Sequence, residues 1–373
     1  MREGRELNSS SEYPPRLNIG DTTETGYEQW RQQLLKEQDF FGREREHTEQ
    51  DRILVSYLNT KGRELADHYG FSWTPVPIER IHYLQEESFA EFCRQTRQPE
   101  NTTGVMLNTA DLVIGDAPSL LWRASTMMHE MVHGEGALRL RLVPERYRKL
   151  FVRRSTLWRG EVRRVGLEMR GKETAHFTDL NEAITSMFAD EALADVSRDR
   201  GAPAELREEV SQMERLRPWL RKQGFSPDIT AVWDENLLQE FERMSKEGVS
   251  PSETQSFIQA QEQKLGHWVL KGTSYLEHQV NYSRLLSYLM DTHQERFSTV
   301  ADVHQMFVRA TLKGEILPLA RLIEETFGKG SLRELAEGRM VEGRIPGDKL
   351  QLPGGLSAFV QRHILTKEGR RDS

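Results

Sequence analysis

One stretch constrains the fold more than any other: Leu120-Leu-Trp-Arg-Ala-Ser-Thr-Met-Met-His129-Glu130-Met-Val-His133. Its apolar positions, Leu120, Leu121, Ala124, Met127, Met128, Met131 and Val132, recur at the spacing of a buried helix. On a helix, residues four apart lie on one face, so His129 and His133 are placed side by side. Two readings follow. The histidines either hydrogen-bond in a core or at a surface, or they grip one metal ion while Glu130 projects beside them toward a water. The second arrangement is that of zinc hydrolysis, in which the ion acidifies its water and the glutamate takes the proton.

A catalytic zinc takes three protein ligands and keeps a fourth position open. A third histidine spaced as in His-Glu-x-x-His-x-x-Gly-x-x-His is ruled out, because Gly136 fits but Arg139 stands where the histidine should be. The remaining option is a glutamate on a later helix. In Thr178-Asp-Leu-Asn181-Glu182-Ala-Ile-Thr-Ser186 the glutamate lies 49 positions after His133, with Leu180, Ala183, Ile184, Met187 and Phe188 forming an apolar face. A plainer alternative stays open for Glu182: with Asp179 as N-cap it would sit at N3 of a capping-box-like helix start.

With His129, Glu130, His133, Asn181 and Glu182 in place, the chain resembles the gluzincin metallopeptidases over about residues 76–290. The resemblance implies a small twisted sheet, an active-site helix and a helical lobe closing a cleft. It also implies His129, His133 and Glu182 as ligands of Zn2+, and Glu130 as general base. Two features depart from the family pattern. Ser186 stands where gluzincins often carry an acid that orients a zinc-bound histidine, so another carboxylate or a backbone carbonyl is expected to do this. The gap between His133 and Glu182 is filled by a basic segment, Arg139 to Arg170, which reads as a solvated helical insert and not as a nucleic-acid site.

A donor for the oxyanion is also needed. His176 and Tyr275 are the candidates taken forward, Tyr275 because Gly-Thr-Ser-Tyr entering a helix could aim a phenol into a cleft. Tyr282 is a further candidate that reads more readily as a core or boundary aromatic, and His278 is the other residue there that could face the site. His82, His267, His293, His304 and His363 lack pairing spacing and read as structural. Gly328 and Gly330 do not have the spacing of a phosphate loop.

Composition narrows the class. The 373 residues predict about two to three domains, or one core with helical additions. A net charge of -7 argues against a dominant nucleic-acid or anionic-membrane footprint. Cys93 is the only cysteine, which excludes an intrachain disulfide and a cysteine-based zinc cluster. Neither a signal peptide nor a span of about 18 apolar residues is found, so a cytoplasmic location is expected.

The expected fold class is α+β and predominantly helical, a zincin-like core with a small mixed sheet, an active-site helix and a helical C-terminal lobe. Strands are expected at 78–84, 104–108 and 111–115, with the last two forming a hairpin or adjacent edge strands. Long amphipathic helices are expected within 27–69, and a shorter one at 86–96. From Pro118 onward helices are expected at 119–139, 144–169, 179–198, 203–223, 231–247, 251–269, 276–293, 299–313, 316–327 and 331–338. The expected units are a flexible tail (1–25), an N-terminal helical segment (26–75), a catalytic core (76–205), a helical lobe (206–345) and a tail (346–373).

The function these features imply is zinc-dependent hydrolysis of a peptide or protein substrate, without nucleic-acid or membrane partners. Three alternatives belong to other classes: a catalytically silent binding or scaffold protein, a hydrolase of a non-peptide amide or ester, and a helical interaction protein with a chance motif. The oligomeric state is left open.

Overall fold

The computed structural model describes residues 44–96, 98, 102–107, 111–135, 139–146, 156–165, 168–170, 175–225, 229–232, 235–265, 269–272, 276–336 and 355–365. The expected tail at 1–25, the first part of the N-terminal helical segment, and 346–354 and 366–373 of the expected tail at 346–373 lie outside them, while 355–365 of that tail are described, with Leu356, Phe359 and Val360 buried.

Helix α1 (Glu49–Tyr69) begins at Thr48, whose hydroxyl accepts from the Asp51 N–H while the Asp51 carboxylate accepts from the Thr48 N–H. It ends at Gly70, which turns left-handed at φ 71°. A short 3-10 turn leads into β1 (Ile81–Leu84), which is followed by α2 (Glu86–Thr96), β2 (Gly104–Met106) and β3 (Leu112–Gly115). β3 lies in the middle, parallel to β1 and antiparallel to β2, so the sheet is mixed and β2 is an edge. Strand alternation sends Leu112 and Ile114 into the main core and Val113 toward Phe89, Phe92 and Cys93 of α2. The sheet is therefore covered on one side by α2 and on the other by the helical body.

Helix α3 (Leu120–Glu135) follows, ending earlier than expected. The basic segment expected to be helical is β instead. β4 (Arg139–Arg146), β5 (Thr156–Val165), β6 (Glu168–Arg170) and β7 (Ala175–His176) form an antiparallel sheet in chain order. The physical reason is legible in the residues. Arg139-Leu-Arg-Leu-Val alternates with period two, Pro144 cannot donate a helical hydrogen bond, and Gly160 lies among β-branched Thr156, Val162 and Val165.

The chain continues through α4 (Thr178–Leu193), α5 (Ala204–Lys222), β8 (Ile229–Val232), α6 (Glu235–Glu247), α7 (Pro251–Leu265), β9 (Leu270–Gly272) and α8 (Leu276–Thr292). It closes with α9 (Val300–Leu312), α10 (Ile316–Phe327), α11 (Ser331–Ala336) and α12 (Gly355–Val360). β8 and β9 pair antiparallel, so residues 231–232, expected to begin a helix, are strand instead. Among the described residues the fold is α+β, predominantly helical, with a three-stranded mixed sheet. Buried residues from α1, α3, α4, α5, α8, α9 and α10 form one continuous core with β1 and β3. No helix among the described residues is long and apolar enough to cross a membrane.

Candidate metal site

α3 is held at both ends. At its start the Ser119 hydroxyl accepts from the Trp122 N–H, and the half-buried Glu209 of α5 accepts from the Leu121 N–H at 3.0 Å and from the Ser119 hydroxyl. At its end the buried Glu135 accepts from the Thr74 N–H at 2.7 Å. Between these anchors Ala124, Met127, Met128, Met131 and Val132 are fully buried, which turns His129 and His133 to the opposite face, where their side chains are largely covered.

α4 brings the third group. Its entry turn is made by Phe177, the one described non-glycine residue with positive φ, at 63°. The Phe177 N–H donates to the Ala336 carbonyl, and its own carbonyl accepts from the Asn181 N–H. Phe177 therefore occupies the N-cap position without a side-chain cap, and the capping-box alternative for Asp179 and Glu182 is not what forms. Instead Leu180, Ala183, Ile184 and Phe188 are buried and Glu182 faces the histidines.

The three side chains converge on one point. His129 Nε2 and His133 Nε2 lie 3.0 Å apart, and Glu182 Oε2 is 3.2 Å from the first and 3.3 Å from the second. Among the described residues this is the one cluster of three such groups that can hold a metal ion. Burial alone would raise the Glu182 pKa, but the charge and hydrogen bonding of His133 and His129 overcome it and hold the carboxyl well below the usual range. The donor set passes a geometric test. A point equidistant from three atoms so spaced lies about 1.8 Å from each, just inside the roughly 2.0–2.2 Å of zinc–nitrogen and zinc–oxygen bonds.

For both Nε2 atoms to face an ion, each Nδ1 must carry the proton and donate it elsewhere. Ser186 Oγ is 3.3 Å from His129 Nδ1, and the Asn181 side-chain amide is 3.4 Å from His133 Nδ1. A half-turn of that amide presents its oxygen as acceptor. Sequence reasoning looked past Ser186 to another carboxylate or a carbonyl, yet Ser186 itself stands at the ring. Asp190 lies one turn further along α4 and accepts from the Gln279 side chain of α8 at 2.8 Å. Burial raises its pKa against that hydrogen bond and the charge of His129.

Glu130 points toward the sheet, where its Oε2 accepts from the Met106 N–H of edge strand β2 at 2.8 Å. Two glycines permit this approach. A Cβ at Gly104 would meet Thr126 Cγ2 at 2.6 Å and Glu130 Cγ at 3.1 Å, and one at Gly134 would meet Met106 Cε at 2.8 Å. Neither Asn181 as ring partner nor the Met106 amide was identified from sequence. Asn181 was visible only as the neighbour of Glu182, and a backbone donor leaves no side-chain signal.

The remaining candidates separate. His176 is half-buried in β7, its backbone paired with Met169, two residues before α4 begins. Tyr275 lies outside the described residues. Tyr282 is fully buried with its hydroxyl 2.8 Å from His304 Nδ1, so it is no oxyanion donor. His278 is half-buried on α8, where its charge opposes the upward shift that burial gives Asp179. No family model matches the chain, and no curated protein or solved structure matches it either.

Proposed function

We propose that the protein is a zinc-dependent hydrolase of the gluzincin type, most simply a peptidase. The observation that carries this reading is the convergence of His129 Nε2, His133 Nε2 and Glu182 Oε2, with the Glu130 carboxylate next along the same helix. A bound zinc would polarise the substrate carbonyl and acidify a water. Glu130 takes the proton of the attacking water and returns it to the leaving amine. The Met106 N–H fixes one oxygen of that carboxylate, so the same group is held ready for both transfers. Glu182, His129 and His133 would hold the ion, and Ser186 and Asn181 would keep the rings turned to it. The presence of Glu130 favours turnover over a silent binding site, since holding an ion requires no base.

The deciding experiment is elemental analysis with a peptide-hydrolysis assay on wild type, Glu130→Gln, His133→Ala and Glu182→Ala. One zinc per chain is expected in wild type and Glu130→Gln, less in the other two, and hydrolysis in wild type alone. Iron in place of zinc, or full zinc retention in both ligand variants, would overturn the proposal.

A further inference from the structure

One hydroxyl beside the metal cluster has a proton to place. With His129 Nε2 turned to an ion, Nδ1 of that ring carries a proton and donates it to Ser186 Oγ, 3.3 Å away. Ser186 is buried, and its hydroxyl still has one proton of its own to give. Helical serines and threonines often give it to the carbonyl one turn back, as Thr60, Ser211, Thr292 and Thr311 do here. Ser186 does not, because among the described residues its one hydrogen bond is the contact with His129.

Asp190 stands one turn further along α4. Glu182, Ser186 and Asp190 follow one another at intervals of four, so they share one side of the helix. Side chains so spaced have Cβ atoms about 5–6 Å apart, a gap that one water bridges, and solvent reaches Asp190. The carboxylate is also held in place. Its Oδ2 accepts from Gln279 Nε2 of α8 at 2.8 Å, which leaves Oδ1 for another donor. The charges of His129 and of Arg217 on α5 both act on this carboxyl, against the upward pull of burial. The partner at the other ring differs in kind: His133 Nδ1 faces the Asn181 amide, which is neutral.

We propose, resting on the metal-binding part of the function proposed above, that Asp190 is a positioning residue: it takes the Ser186 hydroxyl proton through one water, so that Ser186 relays the influence of a carboxylate to His129. A ring whose Nδ1–H is held in this way keeps its tautomer and becomes a more basic ligand. The acid absent from position 186 is thereby supplied from position 190, with the serine spanning the difference.

The test is the zinc affinity of the full-length protein, measured by chelator competition for wild type, Asp190→Asn, Asp190→Glu, Ser186→Ala and Ser186→Ala/Asp190→Asn. Asparagine keeps an acceptor for Gln279 and removes the charge, so the packing of α8 on α4 is spared. Asp190→Asn should bind zinc about tenfold more weakly, and Asp190→Glu should recover most of that loss. The double variant should bind no more weakly than Ser186→Ala, since the relay is already cut. Zinc-loaded protein carrying isotope-labelled histidine gives a second readout by NMR. The ring N–H resonance that Ser186→Ala shifts should also move in Asp190→Asn, and the one that Asn181→Ala shifts should stay. Unchanged affinity in Asp190→Asn, an equal loss with and without the Ser186 hydroxyl, or movement of the Asn181-dependent resonance instead overturns the relay. Zinc binding that depends on Asp190 in a protein that cleaves no peptide would sink the hydrolase reading and leave the relay. Peptide cleavage by wild type, with a zinc affinity indifferent to Asp190, would do the reverse.

Discussion

His304 offers a sharp test of how burial controls stability in the helical body. Its ring is 6% exposed, packed edge-on to Tyr69 and Tyr282, and its Nε2 has no hydrogen-bond partner among the described residues. Only Nδ1 is engaged, by the Tyr282 hydroxyl at 2.8 Å. Burial pushes the pKa down from 6.5 to about 4. A histidine whose folded pKa lies below its unfolded one binds its proton more readily in the unfolded chain. Its contribution to stability is therefore complete above about pH 6.5 and falls as the pH drops toward 4. Between pH 7.5 and 4.5 the loss is about 2.5 kcal/mol from this residue. Urea unfolding of wild type and His304→Leu at both pH values measures it, because other groups cancel in the difference. Leucine lacks the titration, so wild type should lose about 2.5 kcal/mol more than the variant on acidification. Losses that agree within about 0.5 kcal/mol would refute the assignment of a buried neutral imidazole.

Two further outcomes bear on the site. Ser186→Ala and Asn181→Ala each remove a group at an imidazole Nδ1 and should weaken metal binding by about 10–100-fold in a chelator competition, with the metal cluster itself left intact. Gly104→Ala forces a methyl against Thr126 and Ile114, so thermal unfolding should show a loss of about 1–3 kcal/mol. The proposed hydrolysis should fall further than metal content, because the displaced strand carries the Met106 amide.

The parts of the fold that could be read in advance are those where local pattern and final environment agree. α10 was legible to the residue because a strongly amphipathic run ends at Gly328. The antiparallel pairing of β2 with β3 was legible because two short apolar runs lie close together in the chain. His129 and His133 were legible because the helix period alone brings them together. The basic ribbon was misread because its arginines resemble the polar face of a helix, and the period-two alternation of 139–143 was outweighed by the length of the charged run. Tyr282 is buried, as its reading as a core aromatic has it, but its partner could not be read. Its hydroxyl is satisfied by His304, 22 positions further on, and no local signal predicts that meeting. The work of Ser186 was also hidden, since a hydroxyl at a ring nitrogen looks in sequence like any serine on a helix.

The two carboxylates that grip α3 at its ends, Glu209 and Glu135, come from different directions, one reaching in from α5 and the other reaching out to Thr74. Helices usually loosen from a free terminus inward. This one has no free terminus, so its two histidines cannot drift apart by fraying while the rest of the molecule stays folded. As temperature or denaturant rises, the capacity to hold an ion should therefore vanish in a single step with the global transition, giving the protein an all-or-nothing site.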